Sequence, residues 1–392
     1  MTETTLFAEV EVFQDKKTGE SVCGDAFFSQ RIQQEDRVLG VVSDGLGSGI
    51  KANILATMTA RMALRFAANN VPIQRSADII MDTLPVCSKR RISYATFTIV
   101  DAPLHGNIRV VEMGNPPFLF IRDGQAMDIK REEVHSEHWP DRVMRLAQFQ
   151  TRPEDRLVVL SDGITQAGLG NPQWKLGWRV AGCQKFVESR VQAEPTISAR
   201  QLSREVVREA RKKDKACLAR DDMTCAVFYF RKPRRLLVLT GPPFDPDMDK
   251  DIARRMRTFK GRRTVCGGTT TSIIARELGV KVTTSLGQCR NSLPPVSTMP
   301  GMDLVTEGIL TLTRAAQYLE TPPQHTTEDS ATQLCELLRE SDVIQFLVGT
   351  RINEAHQDPT LPVDLDIRRN IVKRIATALR QNYLKEVTIE YI

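Results

Sequence analysis

The stretch Val41-Val42-Ser43-Asp44-Gly45-Leu46-Gly47-Ser48-Gly49 restricts the fold of this chain more than any other. An apolar run, Val38 to Val42, ends on an acid, and glycines follow at alternate positions. Beyond Gly49, residues Ile54, Leu55, Met58, Met62 and Phe66 recur at helical spacing. The pattern reads strand, glycine loop, helix, with a carboxylate at the strand's end. Glycine permits the positive φ such a loop needs, and an acid beside the Gly45 carbonyl suits a hard cation. Asp-Gly is also ordinary turn chemistry, so this stretch alone leaves both readings open.

Repetition favours the cation. Ser161-Asp162-Gly163 closes another apolar strand, Arg156 to Leu160, and Cys23-Gly24-Asp25 lies just upstream of the first motif. Arg220-Asp221-Asp222-Met223-Thr224 opens a strand-like run ending at Phe230. Strand-edge acids so far apart in sequence can converge at one end of a sheet sandwich. No cysteine–histidine cluster with zinc spacing competes, and oxygen ligation favours Mg²⁺ or Mn²⁺.

The order Gly-Asp, Asp-Gly-x-Gly-x-Gly, Ser-Asp-Gly, Asp-Asp-x-Thr resembles the metal-dependent Ser/Thr protein phosphatases (PPM family) over residues 1–231. The SpoIIE-type branch is the nearest likeness, and the turn Gly114-Asn115-Pro116-Pro117-Phe118 is similar to it too. The resemblance implies an α/β/β/α layered sandwich, and phosphoserine or phosphothreonine hydrolysis by water that two Mn²⁺ or Mg²⁺ ions activate. By position it implies that Asp44 bridges the ions, with the Gly45 carbonyl contributing. It further implies that Asp25 acts through a bound water and that Asp162 and Asp221 hold the second ion. Asp44, Asp162 and Asp221 are then the catalytic acids. Relatives of this branch act on phosphorylated regulators of the anti-sigma pathway type, so a phosphoprotein partner is expected. Helices beside the glycine loop act as a switch in that branch, although here the glycines could simply satisfy a tight turn.

One departure matters. Many members of the wider family carry a phosphate-gripping arginine five residues before the first metal aspartate, where this chain has Glu20. Gly24 replaces the acid that usually precedes Asp25. The SpoIIE-type branch is similar to this chain in both respects. Lys51 is a candidate for holding the phosphate, or simply a solvated lysine. Two other readings stand beside the protein phosphatase: a small-molecule phosphatase, and a pseudophosphatase, which would be expected to have lost an acid.

At 392 residues the chain has room for two cores. No apolar run is long enough to cross a bilayer and no secretory leader is evident, so a cytoplasmic chain without a membrane partner is expected. Its scattered cysteines should then be reduced. A net charge of +6, with basic clusters at Arg211–Lys215 and Arg231–Arg235 but few interleaved aromatics, argues against nucleic acid. Oligomeric state is left open.

Strands are expected at 7–13, 21–29, 91–100, 107–113, 117–122, 157–160 and 223–230, with helices at 51–69, 75–87 and 196–214. After Phe230, strands and helices alternate. This predicts a second domain, 236–392, a smaller open α/β unit with a largely parallel sheet and a regulatory or ligand-binding role. Its strands are expected at 236–240, 263–265, 280–284, 343–348 and 387–391. Gly267-Gly268-Thr269-Thr270, between a strand and a helix, could hold an anion on free amides. It lacks the lysine of a P-loop, and a threonine-capped turn explains it equally well.

Overall fold

Burial patterns explain the layering better than element counts do. The computed structural model describes residues 6–83, 95–135, 142–284, 293–322, 329–351 and 363–392. It divides into two units, Met1–Lys232 and Pro233–Ile392.

The first unit runs β1 (Phe7–Asp15), β2 (Ala26–Ile32), β3 (Arg37–Gly45), α1 (Gly49–Ala68), α2 (Ile73–Thr83), β4 (Ala95–Pro103), β5 (Asn107–Met113) and β6 (Leu119–Arg122). It continues with β7 (Gln125–Ala126), β8 (Glu132–His135), β9 (Val143–Gln150), β10 (Arg156–Leu160), α3 (Asp162–Thr165), α4 (Arg179–Ala193), α5 (Ala199–Arg211) and β11 (Met223–Arg231). Two antiparallel sheets result, ordered β1-β11-β10-β6-β7 and β2-β3-β4-β5-β9-β8. Every residue of β11 is buried, because its sheet is covered on both faces.

Alanines 56, 60, 63 and 67 form the inner stripe of α1, and their small side chains let it lie close on Leu39, Val41 and Phe97. On the other sheet, Val187 and Val191 of α4 and Leu202 and Val206 of α5 pack on Val158, Leu160 and Val227. Between the sheets, the Phe120 and Phe149 ring centroids stand 4.6 Å apart, and a Cβ at Gly40 would collide with the Phe228 ring. The order is therefore helix, sheet, sheet, helix.

Residues 21–25, expected in a strand, form a bend instead, and β2 begins at Ala26. The Asp25 carbonyl accepts from Gln14 Nε2 at 3.4 Å, outside the ladder. Strands β8 and β9 and helix α4 were not foreseen. The end of the expected helix 75–87 and the start of the expected strand 91–100 lie outside the described residues, as do Cys87 and Cys289. The other six cysteines are free.

The second unit runs β12 (Arg235–Thr240), α6 (Asp249–Thr258), β13 (Arg262–Cys266), α7 (Gly268–Leu278), β14 (Thr283–Thr284) and β15 (Ser297–Thr298). Then follow β16 (Leu304–Thr306), α8 (Ile309–Glu320), α9 (Ser330–Glu340), β17 (Val343–Val348), α10 (Val363–Tyr383) and β18 (Glu386–Tyr391). The sheet order is β14-β15-β16-β13-β12-β17-β18, parallel from β16 to β18 with a short antiparallel edge. The strand expected at 280–284 is reduced to that edge. Leu236 and Val238 face Leu312, Leu334 and Leu379, while Leu237 and Leu239 face Ile252, Met256 and Ile274. This two-residue alternation buries both faces of β12. Among the described residues no helix is long and apolar enough to cross a membrane.

Candidate active site

The end of β3 is pinned from its neighbour. Thr96 Oγ1 donates to the Asp44 carbonyl at 3.0 Å, and Ser43 Oγ donates to the Thr96 carbonyl at 2.9 Å. A Cβ at Gly45 would collide with the Ala52 carbonyl, so only glycine lets the chain pass under α1 here. Gly47 and Gly49, with φ of 101° and 74°, turn it into the helix.

Asp25, in the bend just before β2, is tied to the other sheet. Thr224 Oγ1, on β11, donates to Asp25 Oδ2 at 2.7 Å. Gln14 Nε2 donates to that same hydroxyl at 3.0 Å. Thr224 N donates to Ser161 Oγ at 2.9 Å, and Ser161 N donates to the Thr224 carbonyl at 3.0 Å. Ser161 immediately precedes Asp162, the first residue of α3, whose Oδ2 accepts from Gln166 Nε2 at 2.8 Å. Asp221 Oδ1 accepts the Asp222 N–H at 2.9 Å. Asp25, Asp44, Asp162 and Asp221 thus meet at one end of the sandwich, two beside strand ends of each sheet.

Their company is costly without a cation. Burial, then the charges of Asp25 and Asp162, a hydrogen bond with Asp162 and the charge of Asp221 push Asp44 up to about 10. Burial likewise raises Asp25 to about 7, against hydrogen bonds from Thr224 and Ser161 and with help from the Asp222 and Asp162 charges. Burial and the Asp162 and Asp222 charges also raise Asp221, while the Asp222 N–H and Lys17 work the other way. Among the described residues none of these four acids forms an ion pair.

The acids as they stand are not a closed cage. Among the described residues, no group of three or more His, Cys, Asp or Glu side chains is arranged to hold a metal ion. The donor chemistry nonetheless fits Mg²⁺ or Mn²⁺, because Mg²⁺ usually keeps several waters and takes only one or two carboxylates. Among the described residues the buried Asp222 Oδ2 has no hydrogen-bond partner, which adds to the uncompensated negative charge.

Sequence reading missed the part played by Asp222. It is 3% exposed, and its Oδ1 accepts the Lys17 N–H at 3.0 Å. A Cβ at position 24 would stand 2.7 Å from Asp222 Oδ2, so Gly24 makes room for this second acid. The Asp221-Asp222 doublet beside a glycine was the available signal. Glu20 is explained too: its Oε1 accepts from Ser48 Oγ at 3.0 Å, and it packs against Gly49 at the start of α1, where negative charge is favourable. Lys51 lies exposed on the first turn of α1. Asn115 bridges β3 and β4, donating to Thr98 Oγ1 at 3.2 Å and to the Val42 carbonyl at 3.4 Å. The Gly267–Thr270 turn opens α7 in the second unit.

The family profile of Stage II sporulation protein E (SpoIIE) matches residues 34–231, just over half of the chain. No curated protein matches the sequence. Among solved structures, the chain is similar to the phosphatase domain of the cell fate determinant SpoIIE from Bacillus subtilis. The identity there is 15% and the TM-score 0.44, over 59% of this chain and 95% of that one. It is similar to the RsbU and RsbW domains of a Mycobacterium tuberculosis protein, at 16% identity and a TM-score of 0.49, over 64% and 67%. A serine/threonine phosphatase from S. agalactiae is similar at 16% identity and a TM-score of 0.42, over 57% and 99%. With its four acidic motifs and this profile match, the chain belongs to the SpoIIE family of PPM-type phosphatases.

Proposed function

We propose that residues 1–231 form a metal-dependent phosphoserine/phosphothreonine protein phosphatase, with residues 236–392 as a ligand-binding or regulatory domain. The observation that carries this reading is the meeting of four buried or half-buried carboxylates, two beside strand ends of each sheet, with no ion-pair partner among the described residues. Asp44, the Gly45 carbonyl, Asp25, Asp162 and Asp221 would hold two Mn²⁺ or Mg²⁺ ions. Such ions, when bound, supply Lewis acidity to a phosphoryl oxygen and lower the pKa of water.

The chain's own residues prepare that chemistry. Thr96 fixes the backbone at Asp44, at the end of β3. Thr224 orients Asp25 through Oδ2, leaving Oδ1 free of it. Gln166 does the same for Asp162. With Glu20, an acid held by Ser48, in place of a phosphate-gripping arginine, the substrate phosphate would be held by the metals or by another cation. Lys51 on the first turn of α1 and Lys17, whose charge reaches Asp221, are the candidates. The expected substrate is a phosphorylated regulatory protein of bacterial signalling.

The test is hydrolysis of a phosphoserine peptide with Mn²⁺ or with EDTA, using wild type, Asp44→Asn and Asp162→Asn. The reading expects metal-dependent turnover that drops at least about 100-fold in both variants, the loss that follows removal of preorganised charge stabilisation. Turnover that persists in EDTA, or in both variants, would sink it. Preference for free phosphometabolites over the peptide would redirect it to small molecules.

A further inference from the structure

Asp222 has no part in the chemistry assigned so far, yet the chain is built around it. It follows Asp221 and stands just before β11. Two glycines leave it room. A Cβ at Gly163, the residue after Asp162, would stand 2.0 Å from the Asp222 carbonyl oxygen. A Cβ at Gly24, the residue before Asp25, would stand 2.7 Å from Asp222 Oδ2. The backbone of Asp222 is therefore lodged against one of the acidic motifs and its carboxylate against another.

Its two carboxylate oxygens differ. Oδ1 accepts the Lys17 N–H at 3.0 Å and so fastens the connection between β1 and β2, the segment that carries Asp25. That segment has a second tie nearby, since Thr18 N donates to the Ala219 carbonyl at 2.9 Å. Oδ2 is buried and has no hydrogen-bond partner among the described residues, in a residue only 3% exposed. Nor does Asp222 form an ion pair among the described residues.

The surroundings make this oxygen expensive. Behind burial, the charge of Asp222 is among the causes that raise Asp25 and Asp221, so three carboxyl groups crowd one small space. A buried carboxylate is tolerated when it is both hydrogen-bonded and compensated in charge. A water would satisfy the oxygen but leave the charge. A hard cation does both, whether it takes the oxygen directly or through one of its own waters.

We propose that Asp222 is a fifth carboxylate of the metal site, presenting Oδ2 to the ion that Asp25 serves. The inference rests on the metal-dependent phosphatase reading and adds to it a residue outside the four acids named there. With Oδ1 on the Lys17 amide and Oδ2 toward the ion, one side chain couples the β1–β2 connection to metal occupancy.

The experiment is calorimetric titration of the metal-free full chain with Mn²⁺, using wild type, Asp44→Asn, Asp222→Asn and Glu20→Gln, with thermal melts of each in EDTA. Asparagine keeps an oxygen for the Lys17 N–H and removes the charge, so a purely structural Asp222 would be replaced without loss. Asp222→Asn is expected to bind at least one Mn²⁺ about 10- to 100-fold more weakly, the range seen when groups supporting a metal's ligands are removed. In EDTA it should melt no lower than wild type, because a buried uncompensated charge has gone. Glu20→Gln removes an acid of the same connection, one held by Ser48, and should change Mn²⁺ affinity by less than about threefold. Wild-type affinity for both ions in Asp222→Asn would overturn the inference and leave the phosphatase reading in place. So would a loss that Glu20→Gln matches, or one that comes with a lower melt in EDTA. A wild type that binds no Mn²⁺, or an Asp44→Asn protein that binds it as wild type does, would sink that reading and this inference together.

Discussion

Replacing Asp44 by asparagine should stabilise the metal-free protein while removing its response to Mn²⁺. Burial and the neighbouring Asp25, Asp162 and Asp221 raise this carboxyl from 3.8 to about 10. At pH 7 the group is neutral in the folded state but ionised in the unfolded chain. Holding that proton costs roughly 4 kcal/mol, at about 1.4 kcal/mol per pH unit between 3.8 and 7. Because the folded value is raised, this group costs nothing below the unfolded value. Its penalty grows as pH rises through 4 and levels off only near 10. Asparagine keeps the shape and removes the titration. Allowing for its own desolvation, the gain is about 2–3 kcal/mol at pH 7, or roughly 4–12 °C in Tm for a domain of this size. The assay is thermal melting in EDTA at pH 5, 7 and 8.5, repeated with excess Mn²⁺. Wild type should lose stability with rising pH more steeply than Asp44→Asn. Mn²⁺ at about 100 times its Kd should add roughly 2.7 kcal/mol per site to wild type alone. An Asp44→Asn protein that melts below wild type in EDTA would refute the reasoning, because the carboxyl would then be a net stabilising contact.

Three further outcomes follow from packing. Gly24→Ala brings a Cβ to 2.7 Å from Asp222 Oδ2 and 3.1 Å from the Ala52 Cβ, and should cost about 1–3 kcal/mol in urea melts. Adding Asp222→Ala should recover part of that cost, a non-additivity of at least about 0.5 kcal/mol in the double-mutant cycle. Glu20→Gln removes a charge from the start of α1 and should lower stability by about 0.3–1 kcal/mol at low salt, with the difference fading as salt is added. Phe346→Ala, fully buried among Leu236, Val238 and Ile344, should destabilise by about 3–5 kcal/mol on urea denaturation.

What the sequence made legible was set by how locally each feature is encoded. Asp44, Asp162 and Asp221 lie at or beside the ends of apolar strands, so their convergence could be expected, with the layering supplied by the family resemblance. The second unit was readable because parallel strands buried on both faces leave continuous apolar runs, such as Leu236–Leu239. Helix α4 was not. Its buried positions Cys183, Val187 and Val191 form a thin stripe among charges, and no side chain caps its start. The false strand at 21–25 failed for a long-range reason: the Asp222 carboxylate, some 200 residues away in sequence, claims the space beside Gly24. Glu20 raised the same difficulty, since its partner Ser48 lies across the glycine loop. Such pairings exist only once the two sheets have met.

The most direct test of the account is a Mn²⁺ titration followed by electron paramagnetic resonance, with hydrolysis of a phosphoserine peptide timed in the same samples. The account predicts two bound ions per wild-type chain, turnover that rises with their occupancy, and loss of both in Asp44→Asn. Saturable binding that survives Asp44→Asn, or turnover that does not track the bound metal, would contradict it.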